Sequence, residues 1–108
     1  MHRYQQLHQL LLDIEAEMRA WSLWTAVSPS SEALSSQQPF CVDTMNFWEW
    51  VQWLMLPRFQ VMIDSRQPLP NSSNMLPMAE QALLHSKIKS SKLLDYFAEL
   101  DQLLSVQH

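Results

Sequence analysis

The sequence predicts an all-α fold, a compact four-helix bundle in a single domain spanning residues 1–108. Three observations lead there. The chain has no glycine, and tight hairpins rely on glycine because it alone enters positive φ without a steric penalty, so β-rich folds are disfavoured. Apolar residues recur at helical spacing in successive segments. Prolines and runs of Ser, Gln and Asn separate those segments. At 47% hydrophobic and 17% charged, the chain is globular rather than disordered. A chain of this length buries about two-thirds of its unfolded surface, enough for one core.

The first helix is expected from His2 to Trp24. Tyr4, Leu7, Leu11, Ile14, Met18 and Trp21 follow one another in steps of 3, 4, 3, 4 and 3, which is one face of an amphipathic helix. Leu10 widens the stripe, and Asp13, Glu15, Glu17 and Arg19 lie mainly off it. A coiled-coil arm is the alternative, but about three heptads are barely enough. In the connection that follows, Ser28 and Pro29 resemble a cap and a first helical proline, so a short extra turn is expected from Pro29 to Leu34.

Asp43 is the expected N-cap of the second long helix, with Val42 and Phe47 at the ends of a hydrophobic staple. That helix is expected to run to about Arg66 and stop before Pro68. Residues 67–76 read as a loop, extended at Pro68-Leu69-Pro70, with Leu69 placed to plug onto the bundle. Pro77 opens a short third helix to about His85. A fourth is expected from about Lys89 to Ser105, with Leu93, Phe97, Leu100 and Leu104 on one face. A single bent helix over 77–105 is the alternative.

The segment "FWEWVQWLMLPRF", residues 47–59, carries the densest aromatic content. Advancing about 100° per residue from Glu49 puts Asn46, Gln52, Gln60 and Asp64 beside it in a polar stripe. Phe47, Trp50, Val51, Leu54, Met55, Val61 and Met62 fill the opposite side, with Trp48, Phe59 and Ile63 on its flank, so the aromatics read mostly as core. Two residues do not fit. Trp53 at about 40° and Leu56 at about 340° fall inside the polar stripe. Either the Pro-rich loop covers them or they form an exposed contact patch. Arg58 is the reverse case, at about 180° in the middle of the apolar side. A buried guanidinium needs a carboxylate, and Glu80 and Asp43 are the candidates. The other reading is an anion anchor in a pocket beside the tryptophans. Pro57 is expected to kink the axis and alter the angles beyond it.

Composition and spacing make several chemistries unlikely. With no glycine, the phosphate-cradling and dinucleotide-binding loops are absent. His2, His8, His85 and His108 include no pair at ligand spacing, so no metal and no cofactor is expected. Cys41 is the one cysteine and has no nearby histidine, which excludes an internal disulfide and disfavours a nucleophile. Residues 1–10 are polar, so neither a signal peptide nor a membrane span is expected, and the cytoplasm is the expected compartment. The net charge of −4 gives no general attraction for nucleic acid. Lys87, Lys89 and Lys92 form the single basic cluster, a weak RNA signal that more often complements the negative end of a helix.

The middle of the chain resembles a known family. "PFCVDTMNFWEWVQWLMLPRF" at 39–59, "PLP" at 68–70 and "PMAEQA" at 77–82 are similar to the YqcC-like family of small bacterial proteins. The most specific block is Asp43-Thr44-Met45, Glu49-Trp50, Gln52-Trp53 and Pro57-Arg58, and the resemblance covers nearly the whole chain. It implies a compact four-helix bundle and brings no established activity. Some members carry a label linking them to a tRNA pseudouridine synthase, which the resemblance implies as an association rather than kinship. Such a synthase needs a much larger catalytic domain with a nucleophilic aspartate over an RNA cleft. Cys41 and the segment from His85 to Lys92 depart from the family pattern and receive no role.

The expectation is therefore a non-enzymatic interaction or accessory protein with a protein partner. Its candidate contact surface is Trp53, Leu56, Arg58, Leu69 and Glu80. An RNA-associated accessory in tRNA modification, and a small anionic-ligand site near Arg58, are the alternatives.

Overall fold

Helix α1, His2–Ala20, forms where the apolar seam is longest. The computed structural model describes residues 2–35, 37, 45–69, 74–84, 86 and 88–104. Within it Leu7, Leu10, Leu11, Ile14 and Met18 are buried. The helix ends one turn earlier than its seam predicts. Ser22 takes a left-handed conformation with φ 61°. Its N–H donates to Arg19 O at 3.1 Å, and Leu23 N–H donates to Met18 O at 2.8 Å. That pair of bonds closes the end of the helix in a Schellman motif. Trp21 therefore lies beyond the helix, 38% exposed, with its indole N–H donating to Glu17 Oε2 at 2.7 Å.

The same device ends the second long helix. Arg66 has φ 55°, and its N–H and that of Gln67 donate to Ile63 O and Met62 O. Glycine usually fills this position, and a residue with a Cβ there costs about 1–2 kcal/mol. A chain without glycine uses Ser22 and Arg66 instead, so the usual stop signal is missing from the sequence. Pro68, two residues past Arg66, prevents any continuation. Between the long helices, α2 is the single turn Ser31–Leu34. Its cap is Ser30, which accepts from Ala33 N–H at 3.1 Å. The cap predicted at Ser28 is displaced by two residues.

The second long helix begins at Phe47 with a reciprocal capping box. Asn46 Oδ1 accepts from Glu49 N–H at 2.8 Å, and Glu49 Oε1 accepts from Asn46 N–H at 3.0 Å. Asn46 thus caps the helix in place of Asp43, which with Val42 and Cys41 lies outside the described residues. The helix comprises α3, Phe47–Trp50, a π-helical turn, Val51–Met55, and α4, Leu56–Ser65. In the π turn Leu56 N–H donates to Val51 O, five residues back. Pro57 explains its place: the ring has no N–H and would press on the carbonyl four residues earlier, and a wider turn relieves that contact.

The π turn corrects the angular reading. It takes in one extra residue, so everything after it falls back by about 100°. Leu56 moves from the polar stripe to the apolar side and is 8% exposed. Arg58 moves the opposite way and is exposed. Val61 follows it out, at 55% exposure, while Phe59 turns in. The expected Arg58–Glu80 tie does not form: both side chains are exposed, and no ion pair joins them.

Helices α5, Leu76–Leu84, and α6, Ser91–Leu104, are separate, with a break around 86–90. Asp101 on α6 caps α5, its two carboxylate oxygens accepting from Met75 N–H at 2.7 Å and Leu76 N–H at 2.8 Å. Ser90 caps α6 by accepting from Leu93 N–H, and it donates to Glu17 Oε2 at 2.7 Å. That hydroxyl, more than the Trp21 N–H and nearby Lys92, holds the Glu17 carboxyl below its ordinary pKa against the opposing effect of burial. Helix α1 packs on α6 and α4, and α5 packs on α6 and α3, which closes a four-helix ring. No strand occurs among the described residues.

The core fills the ring. Phe47 meets Trp48 edge-on at 5.0 Å between centroids, and both meet Phe97, at 5.6 and 6.0 Å. Leu69 is half-buried against this core, as the plug reading expects. Replacing Asp101 by Ala leaves two N–H groups at the start of α5 without their acceptors. A loss of about 2–3 kcal/mol is expected, read by urea unfolding, with Asp101→Asn recovering part of it.

Candidate functional site

The α1–α2 connection and the π turn together build one aromatic groove. Its anchor is Gln52, 5% exposed, on the second long helix. Gln52 Oε1 accepts from Thr25 N–H at 2.8 Å and from Thr25 Oγ1 at 3.2 Å. Gln52 Nε2 donates to Thr25 O at 2.7 Å. The side-chain amide thus pairs with both backbone groups of Thr25, as a neighbouring strand would. Trp53 Nε1 donates to Thr25 Oγ1 at 3.0 Å, so the same threonine orients the indole.

Trp24, next to Thr25, forms the other wall. The Arg19 guanidinium lies over its ring, 4.7 Å from the centroid, while Arg19 Nε bonds Glu15 Oε2 at 2.9 Å. An open groove of about 720 Å³ runs between these parts, lined by Arg19, Ser22, Trp24, Thr25, Ala26, Gln52, Trp53 and Pro57. Both tryptophans are half-buried. The groove brings together two indoles, a proline ring and a cation, with one side on the second long helix and the other on the α1–α2 connection.

The sequence-derived surface residues are only partly brought together. Trp53 lines the groove, and Thr25 holds its indole N–H; residues 70–73 of the Pro-rich loop expected to cover it lie outside the described residues. Leu56 is buried and leaves the surface. Arg58 is exposed beside Pro57, while Leu69 and Glu80 belong to other parts of the molecule. Glu80 lines a separate groove with Leu84, Ile88 and Lys89. Lys89 and Lys92 are exposed, and Lys87 lies outside the described residues. Trp24, Thr25 and Gln52 were not singled out by sequence reading as site residues. The Gln52–Thr25 pairing spans 27 residues, and nothing local in either segment announces it.

Among the described residues, no group of three His, Cys, Asp or Glu side chains is placed to hold a metal ion. No described helix is long and apolar enough to cross a membrane.

Comparison with known proteins places this architecture. The DUF446 family model, described as tRNA pseudouridine synthase C, matches residues 6–103. The chain is 34% identical over 92 residues to the uncharacterized protein YqcC of Escherichia coli, covering 85% of this chain and 84% of that one. The chain belongs to the YqcC-like family. The solution NMR structure of E. coli YqcC matches it with a TM-score of 0.84 at 30% identity, covering 100% of this chain and 96% of that one. An uncharacterized protein of Haemophilus influenzae is 35% identical over 100 residues, 93% of this chain and 84% of that protein. A Pectobacterium carotovorum protein named tRNA pseudouridine synthase C is 44% identical over 72 residues, which are 67% of this chain but only 19% of that protein.

The groove of this YqcC-like chain depends on Gln52. Replacing it by Met keeps the bulk and strands the backbone N–H and C=O of Thr25. A loss of about 2–3 kcal/mol is expected in urea unfolding, together with a shifted Trp53 indole resonance in NMR spectra.

Proposed function

We propose that this chain is a non-enzymatic accessory protein of the cytoplasm that docks a protein partner on its Trp24–Trp53 groove. The observation that carries this reading is the clasp of Gln52, Thr25 and Trp53. It keeps two half-buried indoles at the wall of an open groove rather than in the core. Tryptophan and arginine are the residue types that concentrate binding energy at protein interfaces, and π turns inside helices recur at functional sites.

The Pectobacterium match supports one partner class, a tRNA pseudouridine synthase. The matched region makes 19% of that protein, so about four-fifths of it lies outside the match. The region similar to this chain is thus a minor part of a protein bearing the synthase name. Parts joined in one polypeptide commonly work together as separate chains. Direct RNA contact through Lys87, Lys89 and Lys92 is the second reading. The net charge of −4 weighs against it.

The test is an affinity pull-down of the tagged chain from its native extract, beside a Trp53→Ala variant whose fold is checked by circular dichroism. Retention of a protein partner, weakened at least tenfold in the variant, is expected. Equal retention by both proteins contradicts the groove. Retention of RNA alone, lost when Lys87, Lys89 and Lys92 are changed together, replaces the protein-docking reading.

A further inference from the structure

A second groove lies between α5 and the start of α6, and it shares no lining residue with the Trp24–Trp53 groove. It is open and about 810 Å³ in volume. One wall is the outer face of α5, where Pro77, Glu80 and Leu84 recur at helical spacing while Ala79 and Leu83 turn into the core. The other wall is the 88–91 segment and the first turn of α6, with Ile88, Lys89 and Leu94. Leu84 is 76% exposed. A leucine exposed by itself is ordinary. This one shares its groove with Pro77, Ile88 and Leu94, which extend the apolar surface.

The charges of the groove say what can cover that surface. Glu80 and Lys89 are the charged residues lining it, and both are exposed. Neither is in an ion pair among the described residues. The acid stands on the α5 wall and the base on the α6 wall. They cancel, so the groove has no net charge to draw a nucleic acid. A complementary surface carries a base opposite Glu80, an acid opposite Lys89 and an apolar side chain between them. A second copy of the chain, turned by a two-fold axis, carries that pattern, because the axis sets each wall against the opposite one.

We propose that two copies of the chain meet at this groove as a symmetric dimer. Leu84 of each copy enters the groove of the other, and Glu80 of each meets Lys89 of the other. The contact uses no lining residue of the Trp24–Trp53 groove, so it stands or falls independently of what docks there. One leucine and two exposed charges from each copy make a small contact, and a dissociation constant of about 0.1 mM is expected.

The test is sedimentation velocity of the full chain from about 10 µM to about 1 mM, with a reductant present so that Cys41 links no copies. A reversible passage from monomer to dimer is expected. Leu84→Gln is expected to weaken association about tenfold, since both leucines of the pair are lost. Glu80→Lys alone sets lysine against lysine, and Lys89→Glu alone sets glutamate against glutamate. Each is expected to weaken association about three- to tenfold. An equimolar mixture of the two charge variants is expected to restore it, because each then meets its opposite, and adding Leu84→Gln to both removes it again. These positions are exposed, so the circular dichroism of every variant is expected to match that of the parent chain. A monomer at every concentration, a dimer indifferent to these changes, or charge variants that stay apart when mixed overturns the proposal. Association of the mixture that survives Leu84→Gln comes from net charge alone and overturns it as well.

Discussion

One widened turn of helix sets the relation between core and surface in this protein. Pro57 sits in the interior of the second long helix, where it withdraws an N–H and crowds the preceding turn. The chain answers with the π turn Val51–Met55. The extra residue shifts the helix phase by about 100°. Upstream, Phe47, Trp48 and Val51 face Phe97 and the core. Downstream, the shift lets Leu56 and Phe59 continue that face and sends Arg58 and Val61 outward. An unbroken α-helix would instead turn the Arg58 guanidinium to the apolar side, where burial is very unfavourable unless a carboxylate meets it. The π turn also carries Gln52 and Trp53, so the groove and the phase shift are products of the same local event.

Around that helix, loops are tied down by side chains reaching across the bundle. Asp101 caps α5 from α6, Ser90 joins the cap of α6 to Glu17 on α1, and Gln52 holds Thr25. Each tie satisfies backbone groups or a buried hydroxyl that would otherwise lose water on folding. This matters more in a small chain without glycine, whose left-handed turns fall on Ser22, Arg66 and Asn74 at a steric cost. The clasp at Thr25 differs from the other two in what it positions. It sets a tryptophan at the wall of an open groove.

Much of the fold was legible in the sequence because its signals are local. The seam from Leu7 to Met18 and the one from Leu93 to Leu104 follow a regular period, and the structure buries both. The capping box at Asn46 and Glu49 was also local, but Asp43 offered an equally suitable carboxylate three residues earlier. The end of α1 was hidden because Ser22 stands where glycine normally signals a stop. Leu56 and Arg58 were misplaced for one reason: a fixed advance per residue cannot represent a π turn. Their joint misfit, an apolar residue on the polar side and a cation on the apolar side, was itself the sign of a phase shift near Pro57. The groove was legible only as an odd Trp53. Its other parts come from a connection 27 residues away in the chain, and residue types alone do not reveal that pairing. The family resemblance reached the fold and the YqcC-like kinship, and the comparisons agree with both.

The phase shift at the π turn is the claim on which the surface, and hence the function, rests. Thiol labelling tests it most directly. In a Cys41→Ser background, single variants Leu56→Cys, Arg58→Cys and Val61→Cys are treated with a maleimide under native conditions. With the π turn in place, positions 58 and 61 react at rates close to those in the unfolded chain, and position 56 reacts at least tenfold more slowly. Fast labelling at 56 with protection at 58 and 61 would restore the unbroken helix and contradict the account.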